Sequence, residues 1–114
     1  MITLELPYPP SVNRYYRHVG FRTLISREGR RYRQRVQAIC AASDIRPMAG
    51  PLAVSLDVHP PDRRRRDVDN VQKPLLDALQ HGGAYADDSQ IKDLHTVMRD
   101  ELPGGIVFVR IRPL

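Results

Sequence analysis

The chain has 114 residues, of which 41% are hydrophobic and 27% are charged, and it contains a single cysteine. This length allows one domain with one modest core, and the single Cys40 excludes an internal disulfide or a multi-cysteine zinc site. No apolar run approaches the ~18 residues of a membrane span, and the N-terminus has no signal-peptide pattern. We therefore expect a cytoplasmic protein with no membrane partner.

The charge of the chain is basic and unevenly distributed. Lys and Arg number 18 against 13 Asp and Glu, for a net charge of +5, and 16 of the 18 basic residues are arginine. Residues 1–50 hold nine basic and three acidic residues, whereas residues 51–114 hold nine basic and ten acidic residues. Arginine binds phosphate through a planar fork of donors. This charge distribution indicates a protein that binds nucleic acid and a metal ion. A GC-rich genome also produces arginine-rich chains, and that explanation stays open.

The first half of the chain predicts a strand, a long loop, a helix and a second strand. Apolar residues alternate along Ile2–Leu6, which predicts a strand, and the polar, basic stretch Ser11–Leu24 predicts a loop. Ser26 is a good N-cap for a helix that runs to about Ser43, and alternation along Leu52–Val58 predicts a half-buried strand. The predicted core stripe of the helix is Tyr32, Val36, Ile39 and Cys40.

The second half predicts one helix and two strands. A cap at Asp69 or Asn70 begins a helix that ends before Gly82, and Pro74 requires a start not much before Asp69, because proline is tolerated only near the start of a helix. The predicted core stripe of this helix is Val71, Leu75, Ala78 and Leu79. The two strands are Asp93–Arg99 and Ile106–Arg112, joined by a hairpin turn at Leu102–Gly105. The order β-α-β-α-β-β predicts an α+β fold with two helices packed on a small mixed sheet.

Two pairs of carboxylates are the leading candidates for chemistry. On an extended segment Asp67 and Asp69 leave the same face and can converge on a hard cation such as Mg²⁺. In the alternative, which has similar weight, Asp69 caps the helix and Asp67 pairs with an arginine. Asp87–Asp88 lies in a turn at Tyr85–Gln90, where such pairs are ordinarily solvated, but a third carboxylate would balance a divalent ion better. Lys73 follows Asp69 by one helical turn and could stabilise charge on a phosphate, or form an i,i+4 ion pair.

Two arginine-rich segments are the candidates for contact with DNA. Asn13–His18 interleaves arginine with tyrosine, a combination that suits both phosphates and base faces; in the alternative, a tyrosine of this segment covers the edge of the core. The run Arg63–Arg66 is typical of a solvated face, but here it directly precedes the acids. The DNA-binding candidates are Asn13, Arg14, Tyr15, Tyr16, Arg17, Arg63, Arg64, Arg65 and Arg66.

Three segments, Pro9–His18, Pro61–Lys73 and Asp87–Asp88, closely resemble the RusA family of Holliday-junction resolvases in sequence, order and spacing. The resemblance runs across nearly the whole chain and implies a single RusA-like endonuclease domain over residues 1–114. It implies a homodimer that uses Mg²⁺, with Mn²⁺ able to substitute, and that cuts four-way junction DNA by paired symmetric nicks in recombination and repair. It matches the catalytic and metal-binding acids of the family to Asp67, Asp69 and Asp88, its essential lysine to Lys73, and its DNA-handling arginine to Arg66.

The resemblance also implies that the protein works at the nucleoid of a bacterial or phage-infected cell, often from a prophage. Two other functions are left open by the residues. One is a non-catalytic DNA-binding protein, in which the acids balance the arginines and cap the helix. The other is a nuclease for flaps or ordinary duplex, which keeps the metal site and changes the substrate.

Overall fold

A four-stranded mixed sheet lies at the centre of the computed structural model, which describes residues 1–114. The elements in chain order are β1 (Ile2–Leu6), α1 (Val12–Tyr15), β2 (Tyr16–Val19), β3 (Arg22–Ile25), α2 (Arg27–Ala42), β4 (Leu52–His59), α3 (Val68–His81), β5 (Ile91–Met98) and β6 (Ile106–Pro113). The strand order of the sheet is β1-β6-β4-β5, in which only the β4–β5 pair is parallel. None of the helices has the length and apolar character needed to cross a membrane.

The core is formed where α2 and α3 meet the sheet, which confirms the predicted α+β class. The predicted stripe of α3 is buried at all four positions, and that of α2 is buried except at Ile39, which is half-buried. The Ser26 side chain accepts a hydrogen bond from the Gly29 amide at 3.0 Å, so the predicted cap of α2 is present. Helix α3 begins at Val68, slightly earlier than predicted, and it tolerates Pro74 in its second turn, where the ring is buried.

The stretch Ser11–Leu24 is not the loop that the sequence predicted. It forms the short helix α1 and the hairpin of β2 and β3, which pair from Tyr16 opposite Ile25 to Val19 opposite Arg22. The hairpin is a separate two-stranded sheet with mostly exposed residues. Because it buries almost no face, it lacks the alternation of apolar and polar residues by which strands are recognised.

The predicted hairpin between the last two strands is also wrong. The chain does turn at Leu102–Gly105, where the Gly105 amide donates to the Leu102 carbonyl at 2.8 Å, but β5 and β6 are not neighbours. Strand β4 lies between them and pairs with both. Five of the eight residues of β4 are buried, so this strand takes the central position even though sequence adjacency favours a direct hairpin.

Candidate active site and adjoining basic groove

One face of α3 forms the floor of a groove of about 470 Å³. Asp69, Lys73 and Asp77 are spaced by four residues, so they lie on the same side of the helix. Asp88 and Tyr16 approach that side from the turn before β5 and from β2. The complete lining, which we call the acidic groove, is Tyr16, Asp69, Gln72, Lys73, Leu76, Asp77 and Asp88.

The neighbouring acids Asp87 and Asp88 have different roles. Asp87 accepts a hydrogen bond from the Ser89 amide at 2.9 Å and caps the short 3₁₀ turn at Asp88–Gln90, and this bond lowers the pKa of Asp87. Gln80 of α3 accepts a hydrogen bond from the Asp88 amide at 2.9 Å and so fixes the turn against the helix. Partial burial, then hydrogen bonding with Asp87 and the charges of Asp87 and Asp77, raise the pKa of Asp88. Of the pair, only Asp88 lines the acidic groove.

The Lys73 ammonium does not form the i,i+4 ion pair that was the structural alternative. No carboxylate lies within ion-pair distance of it; instead its nitrogen lies 5.1 Å from the centre of the Tyr16 ring. A cation over a tyrosine ring is attracted by the electron-rich face. Lys73 is thus positioned in the groove with its charge unpaired by protein acids.

Asp67 and Asp69 are both exposed, and neither carboxylate takes part in a hydrogen bond or an ion pair. Asp67 occupies the N-cap position of α3 without a side-chain capping bond, and the nearest arginine, Arg66, pairs with Asp62 instead. The purely structural alternative for the two acids is therefore not observed. Asp69 lines the acidic groove, whereas Asp67 does not.

The donors of the acidic groove fit a divalent cation, but they do not form a closed cage. No group of three or more His, Cys, Asp or Glu side chains converges closely enough to enclose a metal ion, so the predicted set of Asp67, Asp69 and Asp88 is not preassembled within the chain. Asp69 and Asp88 supply hard carboxylate oxygens to one open groove. Mg²⁺ is commonly bound by one or two carboxylates together with waters and substrate phosphates, and this donor set suits that mode.

A contact that the sequence did not reveal joins Asp77 to Tyr15 and Arg33. Asp77 accepts hydrogen bonds from the Arg33 Nε at 2.8 Å and from the Tyr15 hydroxyl, and the Arg33 Nη2 lies at 2.8 Å. Tyr15 is fully buried, and burial followed by the bond to Asp77 raises the pKa of its hydroxyl. The prediction that Tyr15 contacts DNA is therefore corrected: it covers the edge of the core. The only available signal was that Asp77 follows Lys73 by one helical turn.

A second groove, of about 380 Å³, lies beside the start of α3 and is strongly basic. Its lining, which we call the basic groove, is Tyr8, Pro9, Pro10, Ser11, Arg14, Pro61, Arg64, Arg65, Arg66, Asn70 and Val71. The two segments that the sequence marked for DNA thus meet in space. Asp69 lines the acidic groove and its neighbour Asn70 lines the basic groove, so the two grooves adjoin at the first turn of α3.

The four arginines of the run differ in their contacts. The Arg66 side chain is only 19% exposed, bonds to Asp62 at 2.7 Å and lies over the Tyr8 ring, so it fixes the loop before α3. Arg63 pairs with Glu101 at 2.7 Å. Arg64 is 85% exposed, with Asp62 at the limit of ion-pair distance, 4.0 Å. Within the two segments that the sequence marked for DNA, the exposed arginines without a short ion pair are Arg14, Arg17, Arg64 and Arg65, and Asn13 is exposed beside them.

An arginine-lined groove adjoins a groove lined by carboxylates and a lysine, an arrangement that suits a nuclease acting on DNA. Residues 7–112 match the family model described as Endodeoxyribonuclease RusA. The chain is 47% identical over 104 residues to the crossover junction endodeoxyribonuclease rusA of Enterobacteria phage 82, covering 90% of this chain and 86% of that protein. It is 46% identical over 105 residues to the RusA protein of Escherichia coli K12, covering 90% and 87%. The chain belongs to the RusA family of endodeoxyribonucleases.

Proposed function

We propose that this endonuclease resolves four-way (Holliday) DNA junctions, with Mg²⁺, by paired symmetric nicks. The observation that carries the proposal is the meeting of the two grooves at the first turn of α3, where unpaired arginines adjoin Asp69, Lys73 and Asp88. The relatives are named crossover junction endodeoxyribonucleases. Their identity to this chain over nearly its whole length supports a junction as the substrate.

The arginines of the basic groove would bind backbone phosphates and deliver one strand to the acidic groove. Asp69 and Asp88 would hold the Mg²⁺ ion, and the exposed Asp67, two residues before Asp69, completes the proposed set of acids. When bound, the ion polarises the phosphodiester and lowers the pKa of a coordinated water. Lys73, directed by the Tyr16 ring, would stabilise the charge that develops on the phosphate.

A homodimer matches the symmetry of this substrate. A four-way junction is approximately two-fold symmetric, and a two-fold dimer presents the same surface twice. Each copy would therefore cut one of two equivalent strands. Such a reaction belongs to DNA recombination and repair at the nucleoid of a bacterial or phage-infected cell, in keeping with relatives from Escherichia coli K12 and Enterobacteria phage 82.

The test compares a labelled four-way junction with a linear duplex of matched sequence, in Mg²⁺, Mn²⁺ or EDTA. Asp69→Asn is expected to keep junction affinity and to lose cleavage by about 100-fold or more, because even the partners of metal ligands change activity by about 10–100-fold. Asp44→Asn is the matched control, since Asp44 is an exposed acid after α2 with a φ of 55° that asparagine also tolerates.

Each alternative gives a different result in the same experiment. Tight binding of the junction without cutting in any metal would show a non-catalytic DNA-binding protein. Equal cutting of the duplex or of a flapped strand would show a nuclease of broader specificity. Loss of binding together with cleavage in Asp69→Asn would show that this acid is structural.

A further inference from the structure

The tip of the β2–β3 hairpin carries an exposed apolar cluster. Phe21 is fully exposed and is the most exposed large hydrophobic residue of the chain, and Val19 and Leu24 are 45% and 42% exposed. Single exposed apolar residues are ordinary, but these three lie within six positions on one hairpin. Exposed apolar residues that cluster in this way commonly mark a binding surface.

Arginines alternate with the apolar residues on the same face of the hairpin. Arg17 lies opposite Leu24, and Val19 lies opposite Arg22. Directly opposed residues point to the same face of an antiparallel pair, and residues two apart along a strand share that face. The hairpin therefore presents two apolar and two cationic side chains together, with Phe21 at the turn beside them.

The base of the hairpin is fixed, so the position of this face is defined. The backbone amide and the hydroxyl of Ser26 both donate to the Tyr15 carbonyl at 2.9 Å. Gly29 of α2 approaches the same carbonyl so closely that an added Cβ would lie 2.4 Å from the oxygen. At the other end the chain reverses through two residues, with Gly20 at a φ of +62° in the first position, as a tight hairpin turn requires.

The hairpin starts at the acidic groove and leads away from it. Tyr16, its first residue, lines that groove. Three strand steps of about 3.3 Å place Val19 about 10 Å further on, which is about three base steps of a duplex at 3.4 Å each. DNA that enters the acidic groove can therefore reach the apolar face of the hairpin.

The chemistry of this face selects one kind of DNA. The arginines fit phosphates, and an exposed phenyl ring fits the face of a base. Apolar side chains insert where base stacking is broken or easily broken, and in a continuous duplex the base faces are covered by their neighbours. We infer that Phe21 is a wedge that packs against unstacked bases at the branch point of a junction, with Arg17 and Arg22 on the flanking phosphates. This inference rests on the proposed function, because it assumes that the chain binds junctions.

The experiment uses a four-way junction with 2-aminopurine beside the branch point, and the wild type, Phe21→Ala and the control Leu114→Ala. Leu114 is 61% exposed at the C-terminus, so its truncation removes a similar exposed apolar group elsewhere. The wild type and the control should raise 2-aminopurine fluorescence, since unstacking relieves quenching. Phe21→Ala should lose that rise and should weaken junction binding by about 5- to 150-fold, the range for one base stacked on an aromatic ring, while its affinity for linear duplex stays unchanged.

The outcomes separate this inference from the proposed function. If the wild type shows no preference for the junction over the duplex, the proposed function fails. If the wild type prefers and cuts the junction and Phe21→Ala does so equally, with the same fluorescence, only the wedge is wrong. Sedimentation of the free proteins gives the remaining check: a lower dimer content in Phe21→Ala alone would assign the cluster to a second copy of the chain and overturn the wedge.

Discussion

The contact between Asp77 and Arg33 should make a measurable contribution to stability, which Asp77→Asn would remove. Asp77 on α3 receives donors from Arg33 on α2 and from Tyr15 on α1, so one carboxylate joins three helices. Asparagine keeps the shape of the side chain and can still accept from the Tyr15 hydroxyl. The change therefore removes the charge and leaves the Arg33 guanidinium without its counterion.

The expected loss is about 2 kcal/mol, since a surface ion pair is worth roughly 0–1 kcal/mol and breaking a buried pair costs roughly 3–5 kcal/mol. The side chains of Arg33 and Asp77 are 21% and 22% exposed, between those two cases. For a chain of this length 1 kcal/mol shifts the Tm by about 4 °C. Asp77→Asn should therefore lower the Tm by about 8 °C.

Thermal and urea unfolding of the wild type, Asp77→Asn, Arg33→Met and the double variant test this reasoning. Once Asp77 has lost its charge, removing Arg33 should cost less, so we expect a coupling free energy of about 1 kcal/mol or more. Arg35 lies on α2 with Arg33, but it is exposed and has no ion pair. Arg35→Met should therefore change stability by less than about 0.5 kcal/mol. Additive losses at Asp77 and Arg33, or an unchanged Tm in Asp77→Asn, would refute the argument.

Three further predictions concern packing, pH and salt. Gly29→Ala should lower the free energy of unfolding by about 1–3 kcal/mol, because its Cβ would meet the Tyr15 carbonyl; an unchanged urea midpoint would contradict that close approach. Hydrogen bonding to Arg66 lowers the pKa of Asp62 to about 2. The contribution of ionised Asp62 to folding stability should therefore be complete above pH ~4 and lost only as the pH falls through about 2. Carboxyl NMR should show this value in the wild type and a higher one in Arg66→Gln, still below about 3.9 because the Arg64 amide continues to donate to Asp62. Junction affinity should fall with salt by a log–log slope of about −0.9 per phosphate, and Arg65→Gln should reduce that slope by about 1.

The parts of the fold that could be predicted from the sequence are those that bury a periodic face. The stripes of α2 and α3 recur every three to four residues and are buried almost as predicted. The β2–β3 hairpin has no such face, and its only signal was a glycine in a polar stretch. The pattern predicts each of the last two strands separately, but their positions in the sheet depend on pairing with β4. Strand β4 precedes β5 by more than thirty residues. Local pattern carries no information about such distant partners.

The candidate site could likewise be predicted from the sequence only in part. The four-residue spacing of Asp69 and Lys73 predicts a shared helix face, and the resemblance to the family supplied Asp88. Without that resemblance, the residues alone could not distinguish Asp88 from Asp87, because their different roles depend on the hydrogen bonds of one turn. The partners of Asp77 are also out of reach, since Tyr15 is 62 residues away and Arg33 is 44 residues away.

The charged residues around α3 fall into two groups once their contacts are known. Asp62 with Arg66, and Asp77 with Arg33, are paired by short bonds and fix the backbone. The exposed acids and arginines without short bonds face the two grooves or solvent; they include Asp67, Asp69, Asp88, Arg14, Arg64 and Arg65. A side chain in an ion pair must lose that pair before it can bind a phosphate or a cation. An unpaired charged side chain loses no such interaction when it binds. The same composition thus serves both stability and DNA chemistry because the fold pairs some charges and leaves their sequence neighbours free.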